Sequence, residues 1–87
     1  FRIIEDKIEA LEFLADKKFK KLGVPIMDLQ LKQDLIIAGI IRKGKLITPS
    51  GKDCILEGDS VIVVTKDEEL QDLNEMFDIY HNTRHEL

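Results

Sequence analysis

The sequence predicts an α+β domain: a small, mainly antiparallel sheet with helices packed on one side. Three observations carry this. Leu35–Arg42 (LIIAGIIR) and Ser60–Thr65 (SVIVVT) are β-branched runs of strand length, bounded by turn residues. Lys43-Gly44 joins the first run to Lys45–Thr48 tightly enough for a β-hairpin. Leu70, Leu73, Phe77 and Tyr80 fall at i, i+3, i+7 and i+10, the apolar stripe of an amphipathic helix over 67–80.

In chain order, residues 1–7 are read as a linker. The next stretch is ambiguous by pattern. Ile4, Ile8, Leu11 and Ala15 sit at helical spacing, whereas Leu11, Phe13 and Ala15 alternate with Glu12, Leu14 and Asp16 as a strand would. Val24-Pro25-Ile26-Met27-Asp28-Leu29 reads as a short helix with proline in its first turn, where the missing N–H is harmless. Pro49–Asp53 is loop, and Leu56-Glu57-Gly58-Asp59 turns the chain into the 60–65 strand. Asp67, Glu68 and Glu69 place negative charge in the first turn of the last helix, favourable against its dipole. Residues 81–87 have no periodicity and are expected to be a disordered tail.

At 87 residues there is one domain and one core. A chain of this size buries only about 60–65% of its unfolded surface, so a partner adds stability. Composition is that of an ordinary globular domain, 44% hydrophobic and 34% charged. A net charge of −4 and a pI near 5.1 argue against a nucleic-acid-binding or anionic-membrane surface. No apolar run approaches the roughly 20 residues of a spanning helix, so direct membrane insertion is not expected. The single Cys54 excludes an internal disulfide and fits a reducing compartment. The chain begins at Phe1 rather than Met, which reads as a piece of something longer.

A strand with one face in water alternates apolar and polar residues. Leu35–Ile41 does not alternate, and helices on one side cannot cover both of its faces. The expected cover is a second copy in a two-fold homodimer, with Leu35, Ile36, Ile37, Ile40 and Ile41 at the interface. The alternative is a central strand buried within a monomer.

No catalytic or metal-binding constellation stands out. His81 and His85 have helical-ligand spacing but no Cys or carboxylate cluster completes a set, and they read as solvated surface. Cys54 has no histidine nearby in sequence and reads as a small packed thiol. Glu5-Asp6 and Glu68-Glu69 read as a solvated face and a helix start. None of the five glycines form Gly-x-Gly-x-x-Gly, and Pro49-Ser50-Gly51-Lys52-Asp53 is no P-loop. One charge anomaly remains: Lys32, Arg42, Lys43, Lys45 and Lys52 stand against only Asp34 and Asp53. Such a basic band either holds a small phosphorylated ligand or forms the lysine fringe that keeps strand edges soluble, and the fringe is the plainer reading.

The succession LGVPIMDL, LIIAGIIRKGKLITP and LEGDSVIVV resembles the C-terminal (RCK-C) domain of TrkA-type potassium-uptake regulators, over roughly Glu9 to Phe77. The resemblance turns the 8–15 segment from helix to first strand. It implies a regulatory and dimerisation domain, not an enzyme, cytoplasmic and held at the inner face of the membrane through a potassium transporter or channel to which it relays a ligand state. NAD or NADH belongs to an N-terminal Rossmann-type domain in that family, so no nucleotide cofactor is expected in this chain. Some members bind cyclic di-AMP between two C-terminal domains. Leu31, Lys32, Ile36 and Pro49 match that crevice, and Lys32 and Arg42 are the expected anion holders. Ile36 stands where the family pattern has a polar residue, and the Gln33-Asp34 loop is shorter.

Overall fold

A computed structural model describes residues 2–5, 8–66 and 70–77. Five strands form one antiparallel sheet: β1 Arg2–Glu5, β2 Ile8–Leu14, β3 Leu35–Arg42, β4 Lys45–Ile47 and β5 Ser60–Thr65. Their order across the sheet is β1-β2-β5-β3-β4. The last strand in sequence is therefore the middle one in space. Where a linker is expected over 1–7, Arg2–Glu5 pairs antiparallel to β2, with Ile3 opposite Ala10.

The strands form because one residue in two can be buried. On β2, Glu9 and Leu11 are buried, while Ile8, Glu12 and Leu14 are exposed. On β5, Val61, Val63 and Thr65 are buried, and Ile62 and Val64 are half-buried on the other side. Strand β3 buries both Leu35 and Ile40, an odd spacing that strict alternation forbids. The pairing passes from Ile37 opposite Val63 to Gly39 opposite Ile62, which leaves Ala38 as the extra residue of a β-bulge. The bulge flips the parity of the second half of β3. Leu35, Ile37 and Ile40 thus share the inner face, and Ile36, Gly39 and Ile41 the outer one.

The expected helices are not what covers the inner face. After Pro25 there is a single 3₁₀ turn, Ile26–Asp28, which Leu29 ends in an extended conformation. Instead of a helix over 67–80, the described residues hold a 3₁₀ turn, Leu73–Met76. The buried residues there are Leu70, Leu73 and Met76, spaced by three, which is the period of a 3₁₀ helix rather than of an α-helix. Asp72 accepts from the Asn74 N–H at 2.6 Å and Glu75 accepts from the Asp72 N–H at 3.3 Å, capping the turn. Phe77 is then extended, bridges to Leu31 and stacks on Phe19 with ring centroids 6.0 Å apart. The expected helix start at 67–69, Tyr80 and the tail 81–87 lie outside the described residues.

The core joins Leu11, Leu35, Ile40, Val61 and Val63 of the sheet to Ala15, Phe19, Ile55, Leu70, Leu73 and Met76 of the irregular segments. Each large side chain fully withdrawn from water contributes about 1.5–3 kcal/mol. With Ile40 completely buried, Ile40→Ala is expected to lower unfolding free energy by about 2–5 kcal/mol in urea denaturation. A loss below about 1 kcal/mol would place Ile40 outside the core.

Candidate functional site: the outer sheet face and the Arg42 fork

With the inner face under the chain's own segments, the outer face is left with Ala10, Leu14, Ile62, Val64, Ile36, Ile41 and Leu46 in neighbouring rows. Val64 lies between Ala10 and Ile36, and Ile41 lies beside Leu46. Leu14 and Leu46 are each 68% exposed and Ile36 60%. Gly39 carries no side chain into this surface, and the Leu46 and Ile62 methyls close over it, 3.1 and 3.5 Å from where a Cβ would stand. Glu12, opposite Ile62, is an exposed carboxylate among these apolar rows.

Of the five residues expected at an interface, Ile36 and Ile41 belong to this face. Leu35 and Ile40 are core residues and Ile37 packs against them: Leu35 and Ile37 point inward by alternation, and the bulge turns Ile40 to the same side. Ile8, Leu14, Leu46, Ile62 and Val64 were the missing members of the face. Their signal was the unbroken apolar run on β5, which left nothing polar to mark an outside.

Arg42 is engaged through two of its three guanidinium nitrogens. Its Nε donates to Asp59 Oδ1 at 2.9 Å and its Nη2 to Oδ2 at 2.8 Å, a bidentate fork, and Nη2 also donates to the Cys54 carbonyl at 2.9 Å. Asp59 is buried and accepts a further hydrogen bond from the Leu56 N–H at 2.9 Å. The guanidinium hydrogen bonds hold the Asp59 carboxyl below the usual carboxylate range, helped by the Leu56 N–H and opposed by burial. The same pairing pushes the Arg42 guanidinium further up.

The other expected ligand residues are dispersed. Leu31 packs toward the core through its bridge to Phe77. Half-buried Lys32 donates its backbone N–H to the Met76 carbonyl at 2.8 Å. Pro49 is half-buried in the loop after β4. Ile36 lies on the opposite side of the sheet from Leu31, so the chain alone does not gather these residues around one ligand. Among the described residues, no group of three His, Cys, Asp or Glu side chains is placed to hold a metal ion, and no helix is long and apolar enough to cross a membrane.

The TrkA-C domain model matches residues 15–78. A Trk system potassium uptake protein trkA homolog of Methanosarcina mazei is 33% identical over 82 residues, covering 92% of this chain and 20% of that protein. A TrkA homolog of Archaeoglobus fulgidus is 35% identical over 71 residues, covering 82% of this chain and 16% of that protein. The chain thus spans about a fifth or less of the length of these two relatives. A solved structure of an RCK domain with cda superposes with a TM-score of 0.57 at 26% identity, covering 69% of this chain and 83% of that one.

Because the folded value of Asp59 is depressed, its contribution to stability is present above its unfolded value, near 3.8, and is lost as pH falls through the folded value. Asp59→Asn is expected to cost at least about 2 kcal/mol near neutral pH. It is also expected to flatten the acid side of the stability–pH curve measured by urea unfolding. An unchanged acid slope in this variant would mean that Asp59 does not govern acid stability.

Proposed function

Since this chain belongs to the TrkA-C domain family, we propose that it is an assembly and regulatory domain of a Trk-type potassium-uptake protein, pairing with a second copy through its outer sheet face. The observation that carries the pairing is that apolar face. Its exposed leucines and isoleucines come from three strands, β5 adds half-buried Ile62 and Val64 between them, and nothing polar except Glu12 and Ser60 interrupts the rows between Leu14 and Leu46. Stable protein pairs bury about 800 Å² on each partner, and a small domain has few other places to find that much apolar area.

Two copies related by a two-fold axis present the same patch to each other, so each side chain on the face acts twice. A regulatory role fits such a joint. A change in the relative orientation of the paired domains transmits a state between the chains that carry them, and from there to a membrane potassium transporter, with no chemistry required here. Relatives named for potassium uptake support this reading.

A second reading is favoured by the RCK neighbour solved with cda. A crevice completed by the second copy brings together residues that one chain keeps on opposite sides of its sheet, and Leu31, Lys32, Ile36 and Pro49 are its candidates. Arg42 is set aside from that group because its Nε and Nη2 are engaged with Asp59 and Cys54.

Sedimentation velocity is expected to find a dimer that Ile36→Asp converts to a folded monomer, since position 36 is already solvated in the single chain. A variant that stays dimeric with unchanged stability would remove Ile36 from the interface. Calorimetric titration of cyclic di-AMP is expected to give saturable heat at one ligand per two chains if the crevice is a ligand site. A silent titration leaves pairing as the function of this domain.

A further inference from the structure

The segment between β2 and the first 3₁₀ turn reads Ala15-Asp-Lys-Lys-Phe-Lys-Lys-Leu-Gly23. Lys17, Lys18, Lys20 and Lys21 are all exposed. We propose that this loop is a docking surface for an anionic lipid bilayer, which holds the domain against the membrane without inserting into it; the proposal rests on the reading of the chain as part of a membrane potassium-uptake system.

The loop is built, not loose. Phe19 is turned into the core and stacks on Phe77. Asp16 Oδ1 accepts the Lys18 N–H at 2.8 Å, Asn74 Oδ1 accepts the Lys20 N–H at 2.9 Å, and Asn74 Nδ2 donates to the Lys18 carbonyl at 2.8 Å. With the backbone fixed and the aromatic ring inside, all four lysine side chains stay at the exposed surface. The ion pair found among the described side chains, Arg42–Asp59, involves none of these lysines. The lysines therefore repel one another with no ion pair to offset it, a cost that an external anionic surface reverses. Asp16 and Asp72 flank Lys18 around an open cleft, and each is engaged with a backbone N–H.

The net charge of −4 does not oppose this locally. Thirteen Lys and Arg less these four leaves nine against seventeen Asp and Glu, so the rest of the chain is strongly acidic and the loop is its cationic pole. Salt screens charges beyond about 8 Å, so a surface meeting the loop senses the lysines first. The acidic remainder then turns away from the bilayer and fixes the orientation. A nucleic acid, which wraps more of its partner, meets that acidic remainder. The cytoplasmic loops of a transporter are themselves enriched in Lys and Arg, so they are poor complements to four lysines, whereas the anionic leaflet around them is a good one. The loop follows β2 directly and turns Phe19 into the core on the inner side of the sheet.

The test is flotation of this chain with vesicles of pure phosphatidylcholine and with vesicles of equal parts phosphatidylcholine and phosphatidylglycerol. Binding is expected to the anionic vesicles alone and to fade as salt is raised. Lys17, Lys18, Lys20 and Lys21 changed together to Gln should weaken it by on the order of a thousandfold, with an unchanged circular dichroism spectrum. Lys45→Gln with Lys52→Gln should leave most of it. No flotation, equal flotation with neutral vesicles, or equal loss in the two variants overturns the proposal. Retention on an immobilised acidic peptide without flotation overturns it in favour of an acidic protein partner. A chain that floats yet sediments as a monomer sinks the pairing while leaving the lipid surface standing.

Discussion

The bidentate contact between Arg42 and Asp59 is the constraint on which the remaining geometry depends. Asp59 sits one residue before β5, in the turn that delivers the central strand. Its side chain takes the two guanidinium bonds and the Leu56 N–H, while its carbonyl accepts the Ala15 N–H at 2.8 Å. Gly58 N–H returns to the Ala15 carbonyl, also at 2.8 Å. The Asp59 carboxylate thus ties the end of β3 to the entry of β5, the backbone of Gly58 and Asp59 holds the exit of β2, and Arg42 reaches through the Cys54 carbonyl to the loop that bridges to Pro25. Removing either partner leaves the other without its fork, and for buried Asp59 that means an uncompensated charge.

With that corner fixed, the sheet has one covered face and one bare one. The covered face is made by irregular chain anchored at single side chains: Phe19, Ile55, Leu70, Leu73 and Met76 each reach inward from a loop or a 3₁₀ turn. Such segments follow the sheet's contour closely but have no second layer to place over the other side. The apolar outer rows and the proposed second copy are therefore two aspects of one arrangement. A thin cover satisfies one face and leaves the other to be met from outside.

Much of this was legible in the residues. The strands at 35–42 and 60–65 and the hairpin at Lys43-Gly44 follow from β-branched runs and a turn where Lys43 and Gly44 both take positive φ. The two-sided apolar character of β3 was visible as well. Which residue points which way was not, because a one-residue bulge at Ala38 inverts the parity and no side chain announces it. The C-terminal stripe misled for a similar reason. Leu70 and Leu73 fit both periods, and choosing Phe77 over Met76 as the next member selects an α-helix where the packing selects a tighter turn. Arg42 looked like a free cation because its partner lies 17 residues away, within a turn whose Asp reads as ordinary turn chemistry. The buried carboxylate of Glu9, at the far end of β2, had no marker in the pattern either.

The order β1-β2-β5-β3-β4 has a temporal side. Each outer pair of strands is a local hairpin that can be sampled as soon as it is synthesised, but an isolated two-stranded hairpin is marginal in water. The two hairpins do not pair with each other; both wait for β5, the last of the described strands, which pairs with β2 on one side and β3 on the other. A nascent chain is consequently without a stable sheet until residue 65 has cleared the ribosome. Folding then closes two long loops in one step, the kind of non-local pairing that slows collapse relative to helical domains of the same size. During that interval both apolar faces of β3 are open at once, and the lysines at 43 and 45 flank the strand edge that other chains would otherwise join.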